Sequence, residues 1–176
     1  MATVNQQMKG ILLAAGAGSR FGGGKLLHPL DGVAIGVRAA RQLLAAGLSV
    51  TAVVRPGSDE LRRLLEHAGC TVTECSNAAD GMGVSLAHAI AHAGEAAGWV
   101  VALADMPRIQ PQTVRQIADA VTQGAMIAAP EYRAMKVYQF PEQPYFPACN
   151  DHSGSLRVNL PSRKCDPKIA AGLFLR

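Results

Sequence analysis

The stretch Met8-Lys9-Gly10-Ile11-Leu12-Leu13-Ala14-Ala15-Gly16-Ala17-Gly18-Ser19-Arg20-Phe21-Gly22-Gly23-Gly24-Lys25 decides the fold. Met8 to Ala15 is a nearly continuous apolar run that stops at glycine, as a strand buried on both faces does. Glycines at 16, 18, 22, 23 and 24 let the following backbone bend tightly and bring several N–H groups close to one anion, where a Cβ would obstruct. Arg20 and Lys25 add two cations to the same loop. A buried strand running into this much donor capacity and positive charge suits a polyphosphate. A merely flexible connection would not call for both cations.

Working outward, short apolar runs alternate with helical segments. Gly32 to Ala46 has helical spacing, with Ile35, Ala39, Leu43 and Ala46 on one stripe and Arg38 and Arg41 off it. Ser49 to Val54 is β-branched and ends at the turn Arg55-Pro56-Gly57. Ser58 or Asp59 can cap a helix carrying Leu61, Leu64 and Leu65 that ends near Gly69, with His67 suiting its C-terminal dipole. Cys70 to Cys75 reads as a strand, Val84 to Ala96 as a helix and Trp99 to Leu103 as a strand. A helix through Val114, Ile117 and Val121 follows Pro111, and Ala125 to Ala129 reads as a further strand. This order predicts right-handed βαβ crossovers and a three-layer α/β fold: a mostly parallel, Rossmann-like sheet with helices on both faces. Ligands of such sheets sit at the carboxyl ends of the strands. Ala134 to Arg176 is different, holding five of the ten prolines with no sustained periodicity.

Composition agrees with one globular domain. The chain has 176 residues, is 49% hydrophobic and 17% charged, and so carries the aliphatic surface that disordered, collagen-like and disulfide-dense chains lack. Its net charge of +4 is spread along the chain, which argues for small anions as partners rather than nucleic acid. Cys70, Cys75, Cys149 and Cys165 show no metal-site or scaffold spacing and read as reduced thiols. No run reaches the ~18 to 20 apolar residues of a membrane span. The short apolar run behind Lys9 reads as a strand rather than an export signal, so the expected location is cytoplasmic. His88 and His92 stand four apart on one helix without an evident third ligand, and read as a solvated face rather than a metal site.

Two phosphate motifs fail on inspection. A Walker A loop needs a hydroxyl after its lysine, and Lys25 is followed by Leu26. The dinucleotide fingerprint would put glycine where Phe21 stands and an acid where Arg55-Pro56 stands.

The loop instead resembles the LAAGxGxRxGxxK signature of MobA-like nucleotidyltransferases. Asp80-Gly81-Met82-Gly83-Val84-Ser85-Leu86 is similar to the GMGxSL segment of the molybdenum cofactor cytidylyltransferase branch, and Ala104-Asp105-Met106-Pro107 to its DMP motif. The three occur in order over about residues 8 to 133.

This resemblance implies transfer of a nucleoside monophosphate, CMP from CTP in that branch, to a phosphorylated acceptor such as molybdopterin, with release of pyrophosphate. It implies that Leu13, Ala14, Ala15, Gly16, Gly18, Ser19, Gly22 and Gly23 line the nucleotide. Arg20 and Lys25 would bind the triphosphate and act in catalysis, and Gly81, Met82, Gly83 and Ser85 would face ribose or base. Asp105 would act in catalysis as the ligand of Mg²⁺. A molybdoenzyme or its chaperone would receive the product, with neither nucleic acid nor membrane as partner. Other readings of the same residues stand beside these. Asp105 could cap the turn into the helix beyond Pro107; Gly81, Gly83 and Ser85 could serve only as helix caps; Met82 reads first as a packing residue. The function could be guanylyl transfer, transfer to a sugar phosphate, or nucleotide binding without catalysis.

After Ala129-Pro130-Glu131-Tyr132-Arg133 the family continues with segments like GxxGHPV and GDxGAR, which have no counterpart here. The resemblance therefore names no residue for the acceptor or for a second metal ligand. Back-translating Arg133 to Pro147 and reading one base earlier permits Gly-(His/Asn/Asp/Tyr)-Glu-Gly-(Leu/Val/Ile)-Pro-Val-Ser-Arg-(Ala/Thr)-(Ala/Thr)-Leu-Phe-Pro, close to the missing segment. The expectation is an NTP-binding part over residues 1–133 and an atypical tail of the same domain over 134–176, translated from a shifted frame.

Overall fold

The computed structural model describes residues 7–18, 24–130, 157–159 and 172–173. Its centre is β1 (Met8–Leu13). The side chains alternate between two cores, Met8, Leu12 and Ala14 on one face and Ile11, Leu13 and Ala15 on the other. A strand with apolar neighbours on both faces has no room for polar residues, which is why the run is continuous.

Beyond β1 come two short strands, β2 (Pro29–Leu30) and β3 (Val33–Ala34), then α1 (Ile35–Ala45), β4 (Ser49–Val54), α2 (Asp59–His67) and β5 (Thr71–Glu74). They are followed by α3 (Met82–Ala93), β6 (Gly98–Leu103), α4 (Pro111–Thr122), β7 (Ile127–Ala129), β8 (Arg157–Asn159) and β9 (Gly172–Leu173). The main sheet has the order β5-β4-β1-β6-β9, with every pairing parallel. Helices α1, α2 and α4 send Leu43, Leu61, Leu65, Val114 and Ile117 into one core, and α3 sends Ala89 into the other. This is the three-layer α/β arrangement that the alternation predicts.

Three details differ from the sequence reading. The helix expected from Gly32 begins at Ile35, because Pro29 to Ala34 forms an antiparallel hairpin turning at Asp31 and Gly32. Arg38 ties that turn to α1 through the Leu30 carbonyl and the Asp31 carboxylate. The strand expected at Ala125 to Ala129 does not extend the main sheet. Ile127–Ala129 pairs antiparallel with β8, and the edge beside β6 is taken by β9. Both partners come from the stretch whose sequence shows no periodicity. The helix expected over Val84 to Ala96 runs from Met82 to Ala93 and stops at Gly94, whose φ is 70°.

Candidate active site

The carboxyl ends of β4, β1 and β6 lie side by side. The ladder continues past β1 and β6: the Ala14 N–H donates to the Val53 carbonyl at 2.9 Å and the Ala104 N–H to the Leu13 carbonyl at 3.0 Å. Ala14 and Ala15 are thereby buried, and the chain emerges at Gly16 and Ala17, which are exposed. Leu13, Ala14 and Ala15 spend their side chains in the core, so only their backbone can serve a ligand.

Lys25 opens a single 3₁₀ turn, Lys25–Leu27, preceded by Gly24 at φ 67°, a left-handed conformation that glycine adopts without strain. The turn closes on itself through the Leu27 N–H to the Gly24 carbonyl and is tied to α1 by the Ile35 N–H donating to the His28 carbonyl. Gly36 lets it sit close: a Cβ there would meet Leu61 Cδ1 at 3.2 Å and the Leu26 carbonyl oxygen at 3.4 Å. From this fixed base the Lys25 ammonium reaches the Asp105 carboxylate, Nζ to Oδ2 2.8 Å. Asp105 follows β6 in a turn whose Met106 N–H donates to the Leu103 carbonyl. Its carboxylate is thus engaged across the sheet. The N-cap position of α4 is Gln110.

Gly81 precedes α3 at φ 129° and ψ 170°, a backbone region that is essentially glycine's alone. Gly81 and Gly83 are exposed at the helix start and Ser85 is buried one turn on. Met82 is 47% exposed, so the packing role that its residue type suggests is not borne out. Beside this helix start lies a cavity of about 220 Å³ lined by Cys75, Ser76, Asn77, Val84 and His88. Sequence reasoning did not find it, because it forms between the loop after β5 and a helix face. His88 is not simply solvated: its Nε2 lies 2.9 Å from Thr73 Oγ1, and its ring stacks on His92 at 4.1 Å. The His92 Nδ1–H in turn donates to the His88 carbonyl. Cys70 and Cys75 are free thiols, as expected, and burial pushes the Cys70 thiol up to about 11.

Ser19, Arg20, Gly22 and Gly23 lie outside the described residues, as do Cys149 and Cys165 and the proposed frame junction. Among the described residues no group of three or more His, Cys, Asp or Glu could hold a metal by itself, and no helix is long and apolar enough to cross a membrane. A single hard carboxylate beside the Lys25 ammonium and a glycine-rich loop fits Mg²⁺, an ion that takes one or two carboxylates, keeps several waters and shares oxygens with a phosphorylated substrate.

A parallel sheet with a glycine-rich loop after its central strand and a lysine–aspartate pair across two strand ends defines a nucleotidyltransferase-like fold. The chain belongs to the family of the MobA-like NTP transferase domain, whose pattern it matches over residues 10–158, past Arg133 and into the tail. Among solved structures it is similar to a nucleotidyl transferase from Methanothermobacter thermautotrophicus, with TM-score 0.60 and 23% identity over 72% of this chain and 62% of that one. The Rv0371c protein of Mycobacterium tuberculosis gives TM-score 0.64 and 24% identity over 73% and 67%, and its complex with manganese is similar too. The CMP:2-keto-3-deoxy-manno-octonic acid synthetase bound to CTP gives TM-score 0.60 and 20% identity over 71% of this chain and 52% of that one. At these identities the likeness is one of fold. This chain spans 62% of the Methanothermobacter protein and about half of the synthetase. No curated protein sequence matches it significantly.

Proposed function

We propose that the chain transfers a nucleoside monophosphate, CMP from CTP, to a phosphorylated acceptor such as molybdopterin. An acceptor phosphate oxygen attacks the α-phosphorus, the bond from that phosphorus to the bridging oxygen of the β-phosphate breaks, and pyrophosphate leaves with the bonding electrons. The acceptor phosphate is already ionised, so no general base is needed, and the work is positioning and charge stabilisation.

The observation that carries this reading is the Lys25–Asp105 pair at the meeting of the β1 and β6 ends. Lys25 and Arg20 would bind the triphosphate and neutralise the charge growing on the leaving pyrophosphate. Asp105 would hold Mg²⁺, which when bound screens the phosphate oxygens. An ion pair as open as this one, 33% and 40% exposed, is worth about 0 to 1 kcal/mol and gives way readily to a phosphate on one side and a cation on the other. The α3 start, with Gly81, Met82, Gly83 and Ser85, and the neighbouring cavity would take the ribose and base. Leu13 to Gly16 and Gly81 to Gly83 favour CTP, being more similar to the cytidylyl than to the guanylyl branch, and the synthetase fold holds the same nucleotide.

In this reading the protein works in the cytoplasm and hands its product to a molybdoenzyme or its chaperone. Residues 1–133 carry the NTP half, and a shifted frame is our reading of why the tail from 134 to 176 lacks the family's later segments even though the family match runs to residue 158. Calorimetric titration of the four NTPs and CMP in Mg²⁺ tests the reading. CTP should bind tightest and CMP far more weakly, and Arg20→Ala should cost about 1.5 to 3 kcal/mol with CTP and much less with CMP. Equal affinity for CTP and CMP would remove the triphosphate from this loop.

A further inference from the structure

Arg55 is a third cation at the same strand ends. It follows β4 directly, is half-buried, and its Nη1 donates to the carbonyl of Ala17 in the glycine-rich loop at 3.3 Å. The sequence shows it only as a basic residue where a dinucleotide fold would carry an acid. Because β4 and β6 flank β1 on opposite sides, Ala17 is tied to the β4 side by Arg55, and Lys25 to the β6 side by Asp105.

We infer that Arg55 is a positioning residue that orients the Ala17–Gly18 peptide so that the loop can receive a polyphosphate. The inference rests on the nucleotidyltransferase reading for its substrate and on geometry for the rest. A trans peptide is planar, and its carbonyl and N–H point to opposite sides; the described chain has no cis bond. Pinning the Ala17 carbonyl on Arg55 therefore turns the Gly18 N–H away from Arg55. An uncapped carbonyl in this loop would present its negative end to an incoming phosphate. With the guanidinium on it, that dipole is satisfied and only N–H groups and cations need face the anion. Glutamine at 55 can offer that carbonyl only a neutral donor. Lysine keeps a charge and a donor, but as a point charge on a flexible stem it fixes direction less well than the planar guanidinium.

The test uses the full chain with Arg55→Gln and Arg55→Lys, read by the Ala17 carbonyl and Gly18 amide resonances without ligand and by titration with tripolyphosphate and Mg²⁺. Arg55 ends at the surface, and unchanged melting verifies that both variants fold. Arg55→Gln should move the Ala17 carbonyl and Gly18 amide resonances and weaken tripolyphosphate about tenfold, the scale of one charge-assisted hydrogen bond, with Arg55→Lys in between. Ala17 and Gly18 resonances unmoved in Arg55→Gln would overturn the positioning role, whatever the affinity does. Wild-type protein that ignores tripolyphosphate would sink the nucleotidyltransferase reading instead, while the resonances would still decide whether Arg55 holds the loop.

Discussion

Lys25 and Asp105, 80 positions apart in the chain, stand with Nζ and Oδ2 2.8 Å from each other because β1 and β6 are adjacent and in register from Met8↔Gly98 to Leu13↔Leu103. Each partner holds the charge the other's ligand would need. A cation arriving alone at Asp105 must displace or tolerate the ammonium, whereas an NTP draws Lys25 away and adds phosphate oxygens. In the proposed reading metal and nucleotide binding would therefore be coupled, and the coupling would act equally on both ligands. Without NTP, Mn²⁺ used as a paramagnetic probe should bind weakly, and CTP should tighten it by about tenfold or more, the range of ordinary coupling energies. In Lys25→Ala, Mn²⁺ alone should bind more tightly than to wild type, and CTP less tightly. Weaker Mn²⁺ binding in that variant would mean that the ammonium does not compete at Asp105.

Asp105→Asn separates the carboxylate's charge from its shape. The amide keeps the size and a hydrogen-bonding oxygen, and the ion pair it removes is worth about 0 to 1 kcal/mol, so thermal melting should move by only a few degrees. Mg²⁺-dependent CTP binding should fall by at least an order of magnitude, because a hard divalent cation needs the charge. A variant that melts much earlier while keeping its Mg²⁺ dependence would make Asp105 a structural residue.

Cys70 gives the molecule an alkaline liability. Burial raises its thiol from 9.0 to about 11. Stability from keeping that thiol neutral is whole below about pH 9, where neither state ionises, and is lost as the pH climbs towards 11, because the unfolded chain ionises first. Urea unfolding from pH 8 to 11 should show wild type losing more stability than Cys70→Ala. Parallel pH profiles for the two would exclude Cys70 as the cause.

The tail carries its own test in the coding DNA. Read one base earlier from Arg133, it should give a stretch of the type Gly-His-Glu-Gly-Val-Pro-Val-Ser-Arg, and a chain restored to that frame should gain acceptor binding. Immediate stop codons in the earlier frame would end the idea.

What the sequence made legible follows from the range of the forces involved. β1, β4 and β6 announce themselves because strands buried on both faces must be apolar throughout. Helices α1, α2 and α4 show a stripe because only one side of each is covered. The hairpin Pro29 to Ala34 leaves no signal in the sequence because two-residue strands have no period. The strands at 157–159 and 172–173 are three and two residues long and owe their place to partners far away in the chain. At the site, the chemistry of Lys25 and Asp105 was readable from their motifs, but their contact was not, since it depends on which strands become neighbours. Arg55 stands out in the sequence only as a base where a dinucleotide fold carries an acid, and the His88 cavity exists only once α3 packs over the end of β5.

Pyrophosphate release with each of the four NTPs, in Mg²⁺ with molybdopterin as acceptor, tests the central claim most directly. Release should be fastest with CTP, should require both Mg²⁺ and acceptor, and should be lost in Asp105→Asn and strongly reduced in Lys25→Ala. Failure of wild type to turn over any NTP, under conditions where the protein is folded and CTP is bound, would contradict the assignment as a transferase and leave a nucleotide-binding protein in its place.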